Sequence, residues 1–137
     1  QGQDRAFKLE SLLRVASGTL AERIGPRGLP IDRLSRRIGF ARSAEQQLPV
    51  LAPHIRRMLE AFARGVTDGS SLGCKRVAHE FALLRTRPTR FTTADPVAIA
   101  KLLSFSMASN WDIELARLHI LREDGPEAMS ALDPAYP

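Results

Sequence analysis

Apolar residues recur at three- and four-residue intervals through most of this chain, the period of a helix with one face turned to a core. Phe7, Leu9, Leu12, Leu13 and Ala16 predict a first helix that Asp4 is placed to cap. Ser17 and Gly18 interrupt it, TLAERIG reads as a short helical turn ended by Gly25, and GPRGLP, residues 25–30, reads as a loop. Asp32 then opens a second long helix with Leu34, Ile38 and Ala41 inward and arginines outward, ended or bent near Leu48 by Pro49. The third helix carries the clearest stripe, Leu51, Ile55, Met58, Leu59, Phe62 and Val66 opposite Arg56, Arg57 and Glu60. Gly65 and TDGSSLG mark its end.

VAHEFALLR is a shorter helical or extended piece. TRPTRFTTADP is a turn-rich connection in which Thr93 or Asp95 caps the next helix and Pro96 takes its first position. From Val97 to Met107 the pattern is apolar nearly all round, as in a helix buried on most faces. After a break at Asn110, DIELARLHILRE gives a last long helix with Ile113, Leu115, Leu118, Ile120 and Leu121. Gly125 and Pro126 punctuate it, EAMSAL makes a final turn, and DPAYP is an extended exit. There is no convincing alternating strand and no repeat at a fixed period. The class is all-α, an irregular multi-helix domain spanning residues 1–137.

The stretch Ser104 to Arg117 stands out. It holds the chain's one tryptophan, Trp111, among small residues (Ser104, Ser106, Ala108, Ser109), with Asp112 and Glu114 following at once. Polar atoms, an aromatic wall and acid at a helix junction could line a pocket. The same features fit a kinked core helix with a buried Trp111 and a capping Asp112. A carboxylate at Glu114 with Asp112 near it suits a hard cation such as Ca2+, but two carboxylates fall short of the six to eight oxygens that ion takes. An acid pair stabilising a helix N-terminus accounts for them equally.

Composition narrows the options. Hydrophobic residues are 44% and charged residues 26%, as in a soluble globular domain. The formal charge is +5, and the cations are nearly all arginine, lysine appearing only at positions 8, 75 and 101. That balance permits a stand-alone nucleic-acid-binding or interaction module, and a purely structural helical domain is a third option. The arginines are spread out, however, and often have acids one helical turn away, the habit of a solvated surface. Cys74 is the one cysteine, so there is no internal disulfide and no C-x-x-C pair. It reads as a plain surface thiol. His54, His79 and His119 are isolated from one another, with His119 read as a packing residue. No nucleophile elbow, P-loop, signal core or apolar run of ~20 residues is present. No catalytic residue is assigned.

Several blocks resemble one known family. Gln3, Asp4, Arg5, Phe7 and Glu10, followed by the Gly-x-x-Ala-Glu-x-x-Gly set of Gly18, Ala21, Glu22 and Gly25, resemble the start of the α chain of penicillin acylases (penicillin amidases). Phe62 to Thr67 resembles that family's Tyr-Ala-x-Gly-Val-Asn. Glu80, Phe81, Pro88, Phe91, Asp95 and Lys101 are similar in spacing to its next block, SNWDIELARL to its Asn-Trp-x-x-Glu-Leu signature, and DPAYP to its exit toward the linker.

The resemblance implies an N-terminal nucleophile hydrolase, made as a zymogen and cut into a heterodimer of α and β chains. This helical segment would pack on the enzyme's αββα core, in a periplasmic or secreted protein tied by the family name to antibiotic biosynthesis. The nucleophile, usually Ser, is the first residue of the β chain, so this chain alone is expected to be inactive. The family's acyl-pocket positions fall on Met107, Asn110 and Trp111, and its α-chain calcium ligand falls on Glu114. The implied substrate is a small N-acyl amide. The implied cofactor is structural Ca2+ shared with the β chain, with no organic group, no nucleic acid and no membrane span.

Overall fold

The computed structural model describes residues 2, 4–71, 78–108 and 110–132, and among them there are helices and turns but no strand. Gln3, Cys74, Ser109 and the DPAYP exit lie outside the described residues. The helices are α1 (Ala6–Ser17), α2 (Ala21–Ile24), α3 (Leu29–Ile38), α4 (Phe40–Gln47), α5 (Pro53–Ser71), α6 (His79–Leu83), α7 (Ala94–Met107), α8 (Trp111–Glu123) and α9 (Gly125–Leu132). The all-α class is as the periodicity predicts. The chain divides into two compact units, Gln1–Leu103 and Ser104–Pro137, so the boundary falls inside α7.

In the first unit α1 packs against α3, α4 and α5. Leu13 and Ala16 of α1 meet Ala44, Ala63, Val66, Phe91, Ala98 and Ile99 in the core. Phe81 of α6 is fully buried and meets the Phe7 ring edge to face, centroids 5.4 Å apart. Small side chains let backbones approach closely. A Cβ on Gly2 would stand 2.6 Å from the Val66 carbonyl oxygen of α5, which is why the segment before Asp4 needs a residue without one.

Several local expectations are corrected. Asp4 does not cap α1; Arg5 holds that position and makes no side-chain cap bond. Residues 25–30 are not a loop, because a 3-10 turn over Gly25–Gly28 runs straight into α3. Pro26 and Pro30 both stand in first turns, where a missing N–H goes unnoticed. The inward face of α3 is polar, Asp32 and Ser35, while Leu34 and Ile38 are exposed. Asp32 is held inward by work of its own, accepting hydrogen bonds from the backbone N–H groups of Leu20 (2.7 Å) and Ala21 (2.9 Å) at the start of α2.

The predicted second helix is in fact two, because Gly39 adopts φ 80° and turns the chain between α3 and α4. The Pro49 break is where expected, in a 3-10 turn over Leu48–Val50. Helix α5 starts at Pro53 and continues through Gly65 to Ser71, burying Ala63, Val66 and Ser70, while Met58 and Phe62 of its stripe are exposed. Asp95 does accept the Thr92 N–H at 2.6 Å, but the helix begins at Ala94, so Pro96 is third rather than first. Helix α7 is not buried all round: Ala98 and Ile99 are, while Leu103, Phe105 and Met107 face solvent.

Candidate functional site

The four residues singled out near the Asn110 break all fall in the second unit. Asn110 occupies the N-cap position of α8 without a side-chain cap bond, so its amide is not consumed by the helix start. Met107 ends α7 and is 87% exposed; Trp111 opens α8 and is 61% exposed, not buried as a kinked core helix requires. Met107, Ala108, Asn110 and Ile113 line one open trough. Glu114 belongs to a different depression, with Arg117, Leu118, Leu121 and Met129 where α8 packs on α9. The structure therefore brings Met107 and Asn110 together in the trough and leaves both Trp111 and Glu114 outside its lining.

Glu114 Oε1 accepts a hydrogen bond from Arg117 Nη1 at 2.9 Å in a half-exposed pair. Among the described residues no three His, Cys, Asp or Glu side chains are grouped to hold a metal ion. One carboxylate supplies at most two of the six to eight oxygens that calcium takes. Glu114 thus fits calcium only as a single ligand of a site completed by another chain, and it must share or give up Arg117 to do so. His119 lies exposed beside Glu123, with Nδ1 to Oε1 at 3.4 Å, so it is a surface residue rather than a packing one.

A polar cluster in the first unit was not singled out by periodicity. The Glu10 side chain is 4% exposed on the inward face of α1. Its Oε1 accepts from Arg14 Nε (2.9 Å), Arg23 Nη2 (3.0 Å) and the Thr89 hydroxyl (2.8 Å), and its Oε2 from the Thr89 backbone N–H (2.8 Å). Arg14 also reaches Glu22 (2.7 Å) and Thr89 Oγ1 (2.7 Å). Burial pushes the Glu10 carboxyl up, yet the Thr89 N–H, the hydrogen bonds from Arg14 and the Thr89 hydroxyl, and the Arg14 charge together hold it below its ordinary value. The signal was present in the sequence, since Glu10 interrupts the apolar stripe of α1 at a core-facing position.

Glu10, Gly18, Glu22 and Gly25 are the motif residues that carry the family resemblance, and the cluster shows what they do. Gly18 (φ 67°) and Gly25 (φ 76°) turn the chain at the ends of α1 and α2, and Glu10 and Glu22 bind the two arginines between them. These residues build the scaffold rather than a reacting centre. Thr67 acts likewise, its hydroxyl accepting the Phe91 N–H at 3.0 Å and donating to the Ala63 carbonyl at 2.9 Å, which pins the segment before α7 to α5. Among the described residues no helix is long and apolar enough to cross a membrane.

Comparison with known proteins agrees with the motif pattern end to end. The family model described as penicillin amidase matches residues 1–136. The acyl-homoserine lactone acylase QuiP of Pseudomonas aeruginosa is 32% identical over 134 residues, 98% of this chain and 16% of the relative. The protein of the same name from Pseudomonas fluorescens is 30% identical over 134 residues, 98% of this chain and 17% of the relative. The penicillin acylase 2 proenzyme of Pseudomonas sp. strain SE83 is 29% identical over 109 residues, 80% of this chain and 14% of the relative. The chain spans about a sixth of the length of the curated relatives it matches. With the match running from the Glu10 cluster through the Asn110–Trp111 junction, the chain belongs to the penicillin amidase family.

Proposed function

We propose that this chain is the helical α-chain segment of an acylase that hydrolyses the amide bond of N-acyl compounds, and that Met107, Asn110 and Trp111 form part of its acyl-pocket wall. The observation that carries the reading is the junction of α7 and α8. Two large apolar side chains, Met107 and Trp111, flank the N-cap residue Asn110 in sequence and are solvent-exposed, and the family resemblance implies that these positions face the acyl pocket. The β chain of the same precursor supplies the core on which the segment packs and the Ser nucleophile, with that serine's own α-amino group as base. The enzyme works in the periplasm or outside the cell.

The chemistry is acyl transfer. The serine oxygen attacks the amide carbonyl and its proton passes to the α-amino group, while β-chain donors hold the tetrahedral oxyanion. The amine leaves with that proton, and water then releases the acyl group as a carboxylic acid. This chain contributes by burying the acyl part. Each methylene-sized change in such a pocket is worth about 1–3 kcal/mol, which grades substrates without excluding them. Relatives named for acyl-homoserine lactones and for penicillin point to apolar acyl groups on a small cyclic amine. Glu114 provides one ligand of a calcium site shared with the β chain, whose role is to hold the assembly together.

The test uses the full two-chain protein against acyl-homoserine lactones of graded chain length and against penicillin G. Release of free amine from either class supports the reading. The Trp111→Ala variant should lose kcat/KM on long or aromatic acyl groups about tenfold more than on short ones, the low end of what about one methylene is worth in such a pocket. Equal losses at every acyl size would remove Trp111 from the pocket.

A further inference from the structure

We infer that a small cavity between α1, α2 and the segment after α6 is a binding site for one buried water molecule, held by the part of the Arg23 guanidinium that Glu10 leaves open. Among the described residues, Arg23 Nε is the one buried side-chain nitrogen or oxygen with no hydrogen-bond partner. A buried N–H left this way is uncommon, and a bridging water is its ordinary answer. Arg23 lines a cavity of ≈ 30 Å³ together with Glu10, Ser11 and Thr86, with Phe7 and Leu20 among its apolar walls.

The way Glu10 is shared explains why this N–H is left over. Nε and Nη2 lie along one edge of a guanidinium, and a carboxylate set square to that edge takes both. Glu10 Oε1 takes only Nη2 of Arg23, at 3.0 Å, because it also accepts from Arg14 Nε and Thr89 Oγ1. Its Oε2 is turned to the Thr89 N–H. The other acceptors on this arginine, the Arg87 carbonyl at 3.3 Å and Thr89 Oγ1 at 3.4 Å, are also bound by Nη2. Half of the fork therefore calls for a further acceptor.

Size and charge select the occupant. One water needs about 10–15 Å³ of such space, so ≈ 30 Å³ admits it and leaves no room for a substrate-sized molecule. Glu10 and Glu22 are paired with Arg14 and Arg23, so the charges of the cluster already balance. A chloride at Nε would stand beside the Glu10 carboxylate and be repelled, whereas a neutral acceptor is not. Water also needs acceptors of its own. Ser11 Oγ gives its proton to the Phe7 carbonyl at 2.9 Å, and Thr86 Oγ1 donates to the Arg87 carbonyl at 3.5 Å, so both hydroxyl oxygens keep lone pairs. One water accepts from Arg23 Nε, donates to these two hydroxyls, and ties α2 to α1 and to the segment after α6.

The test is a crystal structure of the full-length protein that carries this chain, grown with sodium bromide and refined at a resolution that shows buried waters. Expected is one fully occupied water about 2.7–3.2 Å from Arg23 Nε, with no anomalous signal from bromide. Ser11→Ala and Thr86→Val each remove one acceptor. At least one of them should lower the occupancy of that water to about half or less while Arg23 Nη2 stays on Glu10, so that the loss is not a displaced arginine. Four results overturn the inference: bromide at Nε, a protein atom from elsewhere in the molecule accepting its hydrogen, no density there, or undiminished water in both variants.

Discussion

Glu10 shows how much one side chain can hold. A carboxylate buried at a core position is costly unless its charge is answered, and Arg14, Arg23 and Thr89 answer it from three segments. Because its folded-state pKa lies below the unfolded value, Glu10 contributes stability that is present above the ordinary carboxylate range and lost as pH falls through the folded pKa. In the full-length protein, unfolding free energy should therefore drop between neutral pH and the acid side of that range, and Glu10→Gln should flatten the dependence. Glu10→Ala, which strands two arginines, should cost roughly 3–5 kcal/mol in denaturant titration. A single residue like this is half legible in sequence. Its place on the apolar stripe of α1 is visible, but its partner Thr89 is 79 positions away and follows no period.

At the level of elements, the 3.6-residue period located the helices well and their breaks poorly. Gly39 and Gly65 look alike in the sequence, each following an arginine-bearing helical stretch. Gly39 sits at φ 80° and divides α3 from α4, whereas Gly65 stays helical inside α5, where an added Cβ would meet open space. Which outcome holds depends on whether neighbouring elements need a turn there. Gly18 is the strictest case. It takes φ 67° at the end of α1, where its N–H and that of Thr19 close the last turn onto Val15 and Arg14. A Cβ there would stand 2.6 Å from Arg36 Cγ and 2.9 Å from the Asp32 carbonyl. Gly18→Ala should destabilise the full-length protein by about 2 kcal/mol or more in thermal unfolding, from left-handed strain with the clash added. Gly65→Ala should be neutral or mildly stabilising.

At the scale of the molecule, the second unit carries no buried residue among those described on α8 and α9. Trp111, Leu115 and Leu118 share one side of α8, and Ile113 looks the other way, all of them exposed. Such a helix reads as one placed between two partners, and the proposed β chain is a partner of that kind. This explains why burial around Ser104–Arg117 was misread from the pattern: apolar periodicity says that a face will be covered, not by which chain. Met107, Asn110, Trp111 and Glu114 rest on motif spacing, which is legible in sequence even where this chain alone makes no contact to them. If Glu114 is the proposed calcium ligand, Glu114→Ala in the full-length protein should reduce bound calcium and lower the melting temperature while leaving kcat nearly unchanged. Unaltered calcium content and melting temperature would exclude Glu114 as a ligand.

The hydrogen bonds from Thr89 to Glu10 also set an order of events during synthesis. A contact between residues so far apart closes a long loop, which costs chain entropy and forms slowly. When α1 leaves the ribosome, its inward carboxylate has Arg14 one turn away but no Thr89, because that stretch has not yet been translated. Until Thr89 arrives, the second carboxylate oxygen of Glu10 lacks the backbone N–H that it accepts in the folded chain. The full set of hydrogen bonds to Glu10 can therefore be completed only after α3, α4 and α5 have been translated.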